Sequence, residues 1–247
     1  MPEVRRASDD AGEPDPLEGL IPKEWPVKLL KKTGDVTSKG DGVLRGGDLG
    51  GGDVMETTEI RATRRPLDAY FTPEPLALAC MSWLARDGFY RGGSVLEPSS
   101  GQGAFIKAAR RHTADVYAVD IDPQHEKAAM DAGAKAFLCA DFERALLSMR
   151  VFDLVIGNPP FSGALPHTEH ALLLRSSFGA VAFLLRLAFL ESKDRASFWR
   201  SNPASKVYVF SERPSFTGGG TDSAAYGLFV WQRGWTRPTE LEVASWR

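Results

Sequence analysis

The sequence predicts an α/β fold: a Rossmann-like, mostly parallel sheet flanked by helices, with a C-terminal antiparallel hairpin. Three observations carry that expectation. Short apolar runs alternate with segments of helical period between residues 73 and 157, the pattern of parallel strands joined by crossover helices. Gly, Pro or Asp punctuates the junctions. Two later apolar segments, 225–231 and 241–244, are close enough in sequence to pair as a hairpin.

The elements follow in order. Pro73-Glu74-Pro75 opens a helix, with Thr72 as the expected N-cap. Leu76, Ala79, Cys80, Trp83 and Leu84 recur at helical spacing until Gly88. Residues 94–97 form a short strand, and the turn Pro98–Gly103 enters a helix through Ala104, Phe105, Ala108 and Ala109. Residues 116–120 are the second strand, and Asp122-Pro123 caps a helix that Gly133 stops. Strands are expected at 136–139 and 152–157, with a helix at 143–149 between them. A helix from Thr168 to Leu174 follows. The run Ala180–Phe189 suits either a strand plus helix or one buried helix, since periodicity does not separate them. Residues 206–210 read as a strand.

The chain of 247 residues suits one domain, expected over 56–247. Residues 1–55, punctuated by proline and then glycine, read as a disordered tail. With 30 basic and 32 acidic residues the net charge is −2, so any surface for a polyanion must be local. Arg61, Arg64 and Arg65 are the preferred phosphate contacts, with Arg110, Arg111, Arg195, Arg200 and Arg213 as further candidates. Cys80 and Cys139 sit in apolar stretches and read as buried thiols, and the four histidines as surface residues; no metal site is expected. The absence of a signal-like or membrane-spanning apolar run implies a cytoplasmic setting.

Two stretches carry chemistry. In Glu97-Pro98-Ser99-Ser100-Gly101-Gln102-Gly103 a strand runs through a Gly-containing turn into a helix, whose first N–H groups are open to a ligand. Asp120, at the end of the next strand, suits the two hydroxyls of a ribose. Glu97 disfavours a pyrophosphate and favours a cationic or zwitterionic ligand, which points to S-adenosylmethionine rather than a dinucleotide. Asp141-Phe142, after the third strand, suits an adenine ring, or a helix cap beside a core residue. The second stretch, Asn158-Pro159-Pro160-Phe161, ends the fourth strand. Two prolines stiffen a corner where an amide oxygen and a main-chain carbonyl can face one –NH2 group, with an aromatic ring to cover a flat substrate.

With these residues in view, the chain resembles the class I, S-adenosylmethionine-dependent amino-methyltransferases. Within them it is similar to the adenine-N6 DNA branch of gamma-type motif order, of the bacterial or phage-like kind. Phe71-Thr72-Pro73, the loop Glu97–Gly103 and Asn158–Phe161 appear in that branch's order. The resemblance implies that Phe71, Thr72 and Pro73 line the methionine end of the cofactor. It implies that Glu97, Pro98, Ser99 and Gly101 hold the amino-acid part, Asp120 the ribose, and Asp141 and Phe142 the adenine, with Gly103 and Ile121 also among the cofactor-binding residues. Asn158, Pro159, Pro160 and Phe161 would hold the target base, with Phe216 and Arg213 as substrate contacts and the glycines 218–220 as a loop over the site. The partner implied is nucleic acid, DNA above RNA. A homodimer or a separate specificity subunit is expected because only about fifteen residues follow the resemblance, too few for a large recognition domain. Glutamine side-chain amides, cytosine N4 and a non-catalytic scaffold are the other readings of the same corner.

Overall fold

A computed structural model of the chain describes residues 71–145, 150–216 and 223–247. The tail at 1–55, Arg61, Arg64 and Arg65, the loop 218–220 and most of the expected helix 143–149 lie outside the described residues. Of that helix, Glu143 and Arg144 stand in a turn.

The chain runs α1 (Glu74–Arg86), β1 (Val95–Glu97), α2 (Ala104–Ala109), β2 (Val116–Asp120), α3 (His125–Asp131), β3 (Ala136–Cys139) and β4 (Phe152–Gly157). It continues with α4 (Ala164–Leu173), β5 (Arg175–Arg186), α5 (Ala196–Ser201), β6 (Lys206–Phe210), β7 (Tyr226–Gln232) and β8 (Glu240–Ala244). The eight strands form one sheet in the order β3-β2-β1-β4-β5-β7-β6-β8. All run the same way except β7, which is antiparallel to both β5 and β6.

Helices cover both faces. On one, α1, α2 and α3 pack Leu76, Met81, Leu84, Phe105, Ile106 and Ala129 against Val95, Leu154, Ala182 and Leu228. On the other, α4 and α5 pack Ala171, Leu172 and Phe198 against Val119, Val155, Phe183 and Phe229. Strands β1 and β2 are buried along their whole length, as expected of strands covered on both faces.

The structure departs from expectation at several points. Pro73, not Thr72, is the N-cap of α1, with no side-chain cap bond; Pro75 sits in the first turn, where a missing N–H costs nothing. The undecided run resolves as strand: β5 is twelve residues long and ends in a 3-10 turn, Leu187–Leu190. Segment 241–244 does form a strand, but not the hairpin partner of 225–231. Both edges of β7 are taken by β5 and β6, so β8 pairs in parallel with the free edge of β6. Cys80 is buried, whereas Cys139 at the end of β3 is exposed, its Sγ 3.8 Å from the Ile121 carbonyl. Among the described residues no helix is long and apolar enough to cross a membrane.

Candidate active site

The sheet order reverses between β1 and β4: from β1 the chain moves outward through β2 and β3, then returns to lay β4 on the opposite side. Open α/β sheets bind ligands in the crevice at the carboxyl ends of such strands. Glu97 ends β1 and Gly157 ends β4, so the two motif stretches face each other across this crevice. They approach closely. A Cβ added at Gly157 would lie 3.3 Å from Pro98 Cδ and 3.9 Å from Glu97 Cγ.

The loop after β1 is pinned from behind. Glu97, 3% exposed, accepts a hydrogen bond from Ile106 N at 3.0 Å through Oε2. Burial, with Asp120 adding a second negative charge nearby, pushes its carboxyl well above the usual carboxylate range. Ser100 N donates to Val119 O at 3.1 Å, and Gly103 N to Ser100 O at 2.7 Å. Gly103, with φ +75°, is the N-cap of α2. Asp120 Oδ2 accepts from Gly101 N at 2.8 Å, and Oδ1 from Asp122 N at 2.9 Å, with His125 Nδ1 at 3.1 Å. Two of the roughly four acceptor directions of that carboxylate are therefore taken by main-chain N–H groups.

Phe71 lies over the loop: a Cβ on Gly101 would meet its ring at 3.2 Å, and it stands edge-on to His125 at 5.9 Å between centroids. Thr72 and Pro73 are half-buried beside it, and Ile121 is 46% exposed at the rim. Asp141 is half-buried and accepts from Glu143 N at 3.1 Å. Phe142, 2% exposed, is a core residue in contact with His167 (centroids 5.3 Å) and, edge-on, His170 (4.8 Å).

Past β4 the corner bends at Asn158-Pro159-Pro160, and Phe161 begins a 3-10 turn, Phe161–Gly163, leading into α4. Phe161 packs against the core below and carries the guanidinium of Arg186, at the end of β5, 4.0 Å above its ring centroid. Arg186 Nε donates to Tyr226 Oη at 3.1 Å, and Tyr226 lies 5.8 Å from Phe161. Phe216 is 7% exposed and edge-on to Tyr226 at 5.1 Å, which is a core position, while Arg213 is exposed. Beside this cluster Arg186, Leu187, Leu190, Glu191 and Ala225 line an open cleft of about 530 Å³. Two other basic candidates are held by main chain: Arg195 donates to the carbonyls of Ala188, Phe189 and Glu191, and Arg110 to Thr113 O.

The sequence does not single out Arg186, and on sequence alone His125 and His167 read as surface residues, with His167 and His170 as alternative substrate contacts beside the corner. Arg186 is the charge that closes the apolar run of β5, at the sheet end where ligands bind. His167 is 7% exposed rather than a surface residue, and its i, i+3 spacing to His170 was the available signal that both flank one partner.

The site's chemistry fits S-adenosylmethionine. Acidic Glu97 and Asp120 end adjacent parallel strands, and Ser100 Oγ is buried without a hydrogen-bond partner among the described residues. That donor and acceptor set suits a ligand bearing an ammonium and a ribose and repels a pyrophosphate.

Comparison with known proteins agrees. A family model described as a methyltransferase domain matches residues 96–170. The type II methyltransferase M.CvrRI of Paramecium bursaria Chlorella virus XZ-6E is 31% identical over 94 residues, covering 37% of this chain and 24% of that protein. This chain thus spans about a quarter of the curated relative it matches. A putative class I S-adenosylmethionine-dependent methyltransferase of Listeria monocytogenes superposes with TM-score 0.57 at 16% identity, over 73% of this chain and 67% of that one. A modification subunit of a putative type I restriction enzyme from Vibrio vulnificus YJ016 gives TM-score 0.54 at 16% identity, over 69% and 45%. The protein has the class I methyltransferase fold, and the methyl donor of that family is S-adenosylmethionine.

Proposed function

We propose that this chain is an S-adenosylmethionine-dependent methyltransferase that methylates N6 of adenine in DNA. The observation that carries the reading is the approach of the Asn158-Pro159-Pro160-Phe161 corner to the Glu97–Gly103 loop across the β1/β4 crevice. S-adenosylmethionine supplies an already activated methyl group, so the protein's task is alignment. Asn158 Oδ1 and the Pro159 carbonyl accept the two hydrogens of one amino group. Positive charge that builds on the amine nitrogen as it reacts strengthens both bonds, which is selective stabilisation of the transition state. A neutral amide suffices, which fits Asn at 158.

Phe161 is the platform for the target ring. The planar guanidinium of Arg186 at 4.0 Å supports this, because it stands where a flat π-bearing group would stack. A base taken from a duplex loses stacking worth a few kcal/mol, and the aromatic face offsets part of it. DNA as substrate draws support from the viral type II methyltransferase and the restriction-enzyme modification subunit among the similar proteins. The latter also favours a separate subunit that chooses the sequence.

The test supplies the purified chain with labelled S-adenosylmethionine and separate pools of DNA, RNA and protein, then identifies the methylated atom by mass spectrometry. Label at adenine N6 in DNA, lost in Asn158→Ala while cofactor binding persists, is the expected result. Label confined to RNA adenine or to glutamine amides removes the substrate assignment, and equal turnover by Asn158→Ala removes the mechanism.

A further inference from the structure

A hydrogen-bonded chain of three side chains ends in the loop after β1. Ser99 Oγ lies 3.3 Å from His167 Nε2, and His167 Nδ1 lies 2.8 Å from Glu143 Oε1. The residues come from three places: the loop, the turn after β3 and α4. The imidazole is buried, with the Phe142 ring against it. Gly163 keeps the junction open, since a Cβ there would lie 3.0 Å from Glu143 Oε1 and 3.2 Å from His167 Nδ1.

The chain has a direction. A carboxylate only accepts, so in a neutral imidazole facing Glu143 the proton sits on Nδ1. Nε2 is then an acceptor, and the hydroxyl it faces is that of Ser99. Ser99 donates its one hydrogen there and keeps only lone pairs for anything else.

A Ser-His-carboxylate chain is also the arrangement that activates a nucleophile in hydrolases, and the order Ser99, Glu143, His167 occurs among them. Here the neighbouring main-chain donors are committed. Ser100 N is on Val119 O, Gly101 N on Asp120 Oδ2 and Gly103 N on Ser100 O. None of the three is left to hold an oxyanion beside Ser99, so the geometry favours orientation over nucleophilic attack.

We infer that His167, held by Glu143, is a positioning residue that fixes Ser99 as a hydrogen-bond acceptor for the ammonium end of the bound cofactor. This rests on the methyl-donor reading of the loop. It leaves Ser99 with only lone pairs to offer a ligand, which favours an ammonium over a carboxylate or a neutral alkyl chain.

The test uses the full chain and two probes, S-adenosylhomocysteine and its desamino analogue, by titration calorimetry. His167→Phe and Ser99→Ala each weaken S-adenosylhomocysteine binding by about tenfold, the yield of one hydrogen bond to a charged group, and leave the desamino analogue unchanged. Their double variant loses no more than either alone. His167→Gln, whose amide oxygen can still accept, keeps most of the affinity. A ligand-free readout accompanies these: the 15N spectrum of imidazole-labelled protein places the His167 proton on Nδ1. Equal losses on both probes, additive losses, a proton on Nε2, or covalent labelling of Ser99 by a fluorophosphonate overturns the inference and leaves the methyltransferase reading standing. Wild-type protein that binds neither probe overturns both.

Discussion

Gly103 couples the cofactor loop to the helix layer, and its replacement by alanine has a cost that can be divided into parts. The residue has φ +75°, a left-handed conformation that disfavours a Cβ by about 1 kcal/mol. A Cβ there would also lie 2.7 Å from Ala132 Cβ and 3.3 Å from the Ala128 carbonyl, both on or next to α3. Such overpacking adds about 1–3 kcal/mol, so Gly103→Ala loses about 2–4 kcal/mol in all. Gly234 is the matched control. Its φ is +79°, almost the same, but a Cβ there meets nothing within 4 Å. Gly234→Ala therefore loses only the conformational part, about 1 kcal/mol.

Thermal unfolding followed by circular dichroism measures both. For a domain of this size the melting temperature drops by roughly 4–16 °C in Gly103→Ala and roughly 2–4 °C in Gly234→Ala. Adding Ala132→Gly to Gly103→Ala removes the tighter of the two contacts and recovers part of the difference. Equal destabilisation by the two single substitutions would refute the argument, because it would mean that α3 does not press on the loop.

Three further outcomes are expected. The Asp87 carboxyl is held well below the usual range by Arg86, then by Lys206 and Tyr208, and that of Glu242 is lowered by Lys206 and Arg86. Depressed carboxylates add stability above their unfolded-state pKa, near 4, and this is lost as pH falls through the folded value; Asp87→Asn should cost about 2 kcal/mol at pH 7, and the cost should shrink steadily below about pH 4 while still being measurable near pH 2, read by urea midpoints across pH. Glu97 has the opposite sign: its carboxyl is raised by burial and Asp120, so an ammonium-bearing ligand that favours the anion releases a proton on binding. S-adenosylhomocysteine affinity should rise with pH until the raised pKa is passed, and Glu97→Gln should flatten the profile; calorimetry in two buffers of different ionisation enthalpy counts the proton. Phe161→Trp should keep more methyl transfer than Phe161→Ala in a labelled-DNA assay, because stacking needs a flat face; the reverse ranking would discard the platform role.

The first four strands and the helices α1, α2 and α3 were legible because each is an apolar pattern bounded by a turn residue, and local patterning is all they need. What escaped was set by distant partners. β5 begins with Arg175, Ser176 and Ser177, which do not read as strand; they belong to it because Ser176 Oγ donates to Asp153 Oδ1 at 2.9 Å and Gly179 passes against Phe152 O, where the β4–β5 register shifts. Asp153 itself sits inside an apolar strand and is satisfied by Ser94 N at 2.9 Å. The position of β8 depends on which sheet edge is free, a property of the assembled sheet. His167 read as exposed because one histidine in a polar segment carries no signal that a carboxylate 24 residues earlier will meet it.

The two motif stretches lie far apart in sequence, and strand register explains why they come together. Val95 pairs with Leu154 and Leu96 with Val155, so continuing the ladder sets Pro98 level with Gly157. A side chain at 157 would press on Pro98 from 3.3 Å and push the corner off the loop. In the proposed site the glycine before Asn158 thus has a part although it offers no functional group: it lets the Asn158 corner come up against the loop 97–103, which lies 54 to 60 residues earlier in the chain. A single sequence shows Gly157 as the last residue of a strand, and only the pairing of β1 with β4 shows why a larger residue would separate the two halves of the crevice.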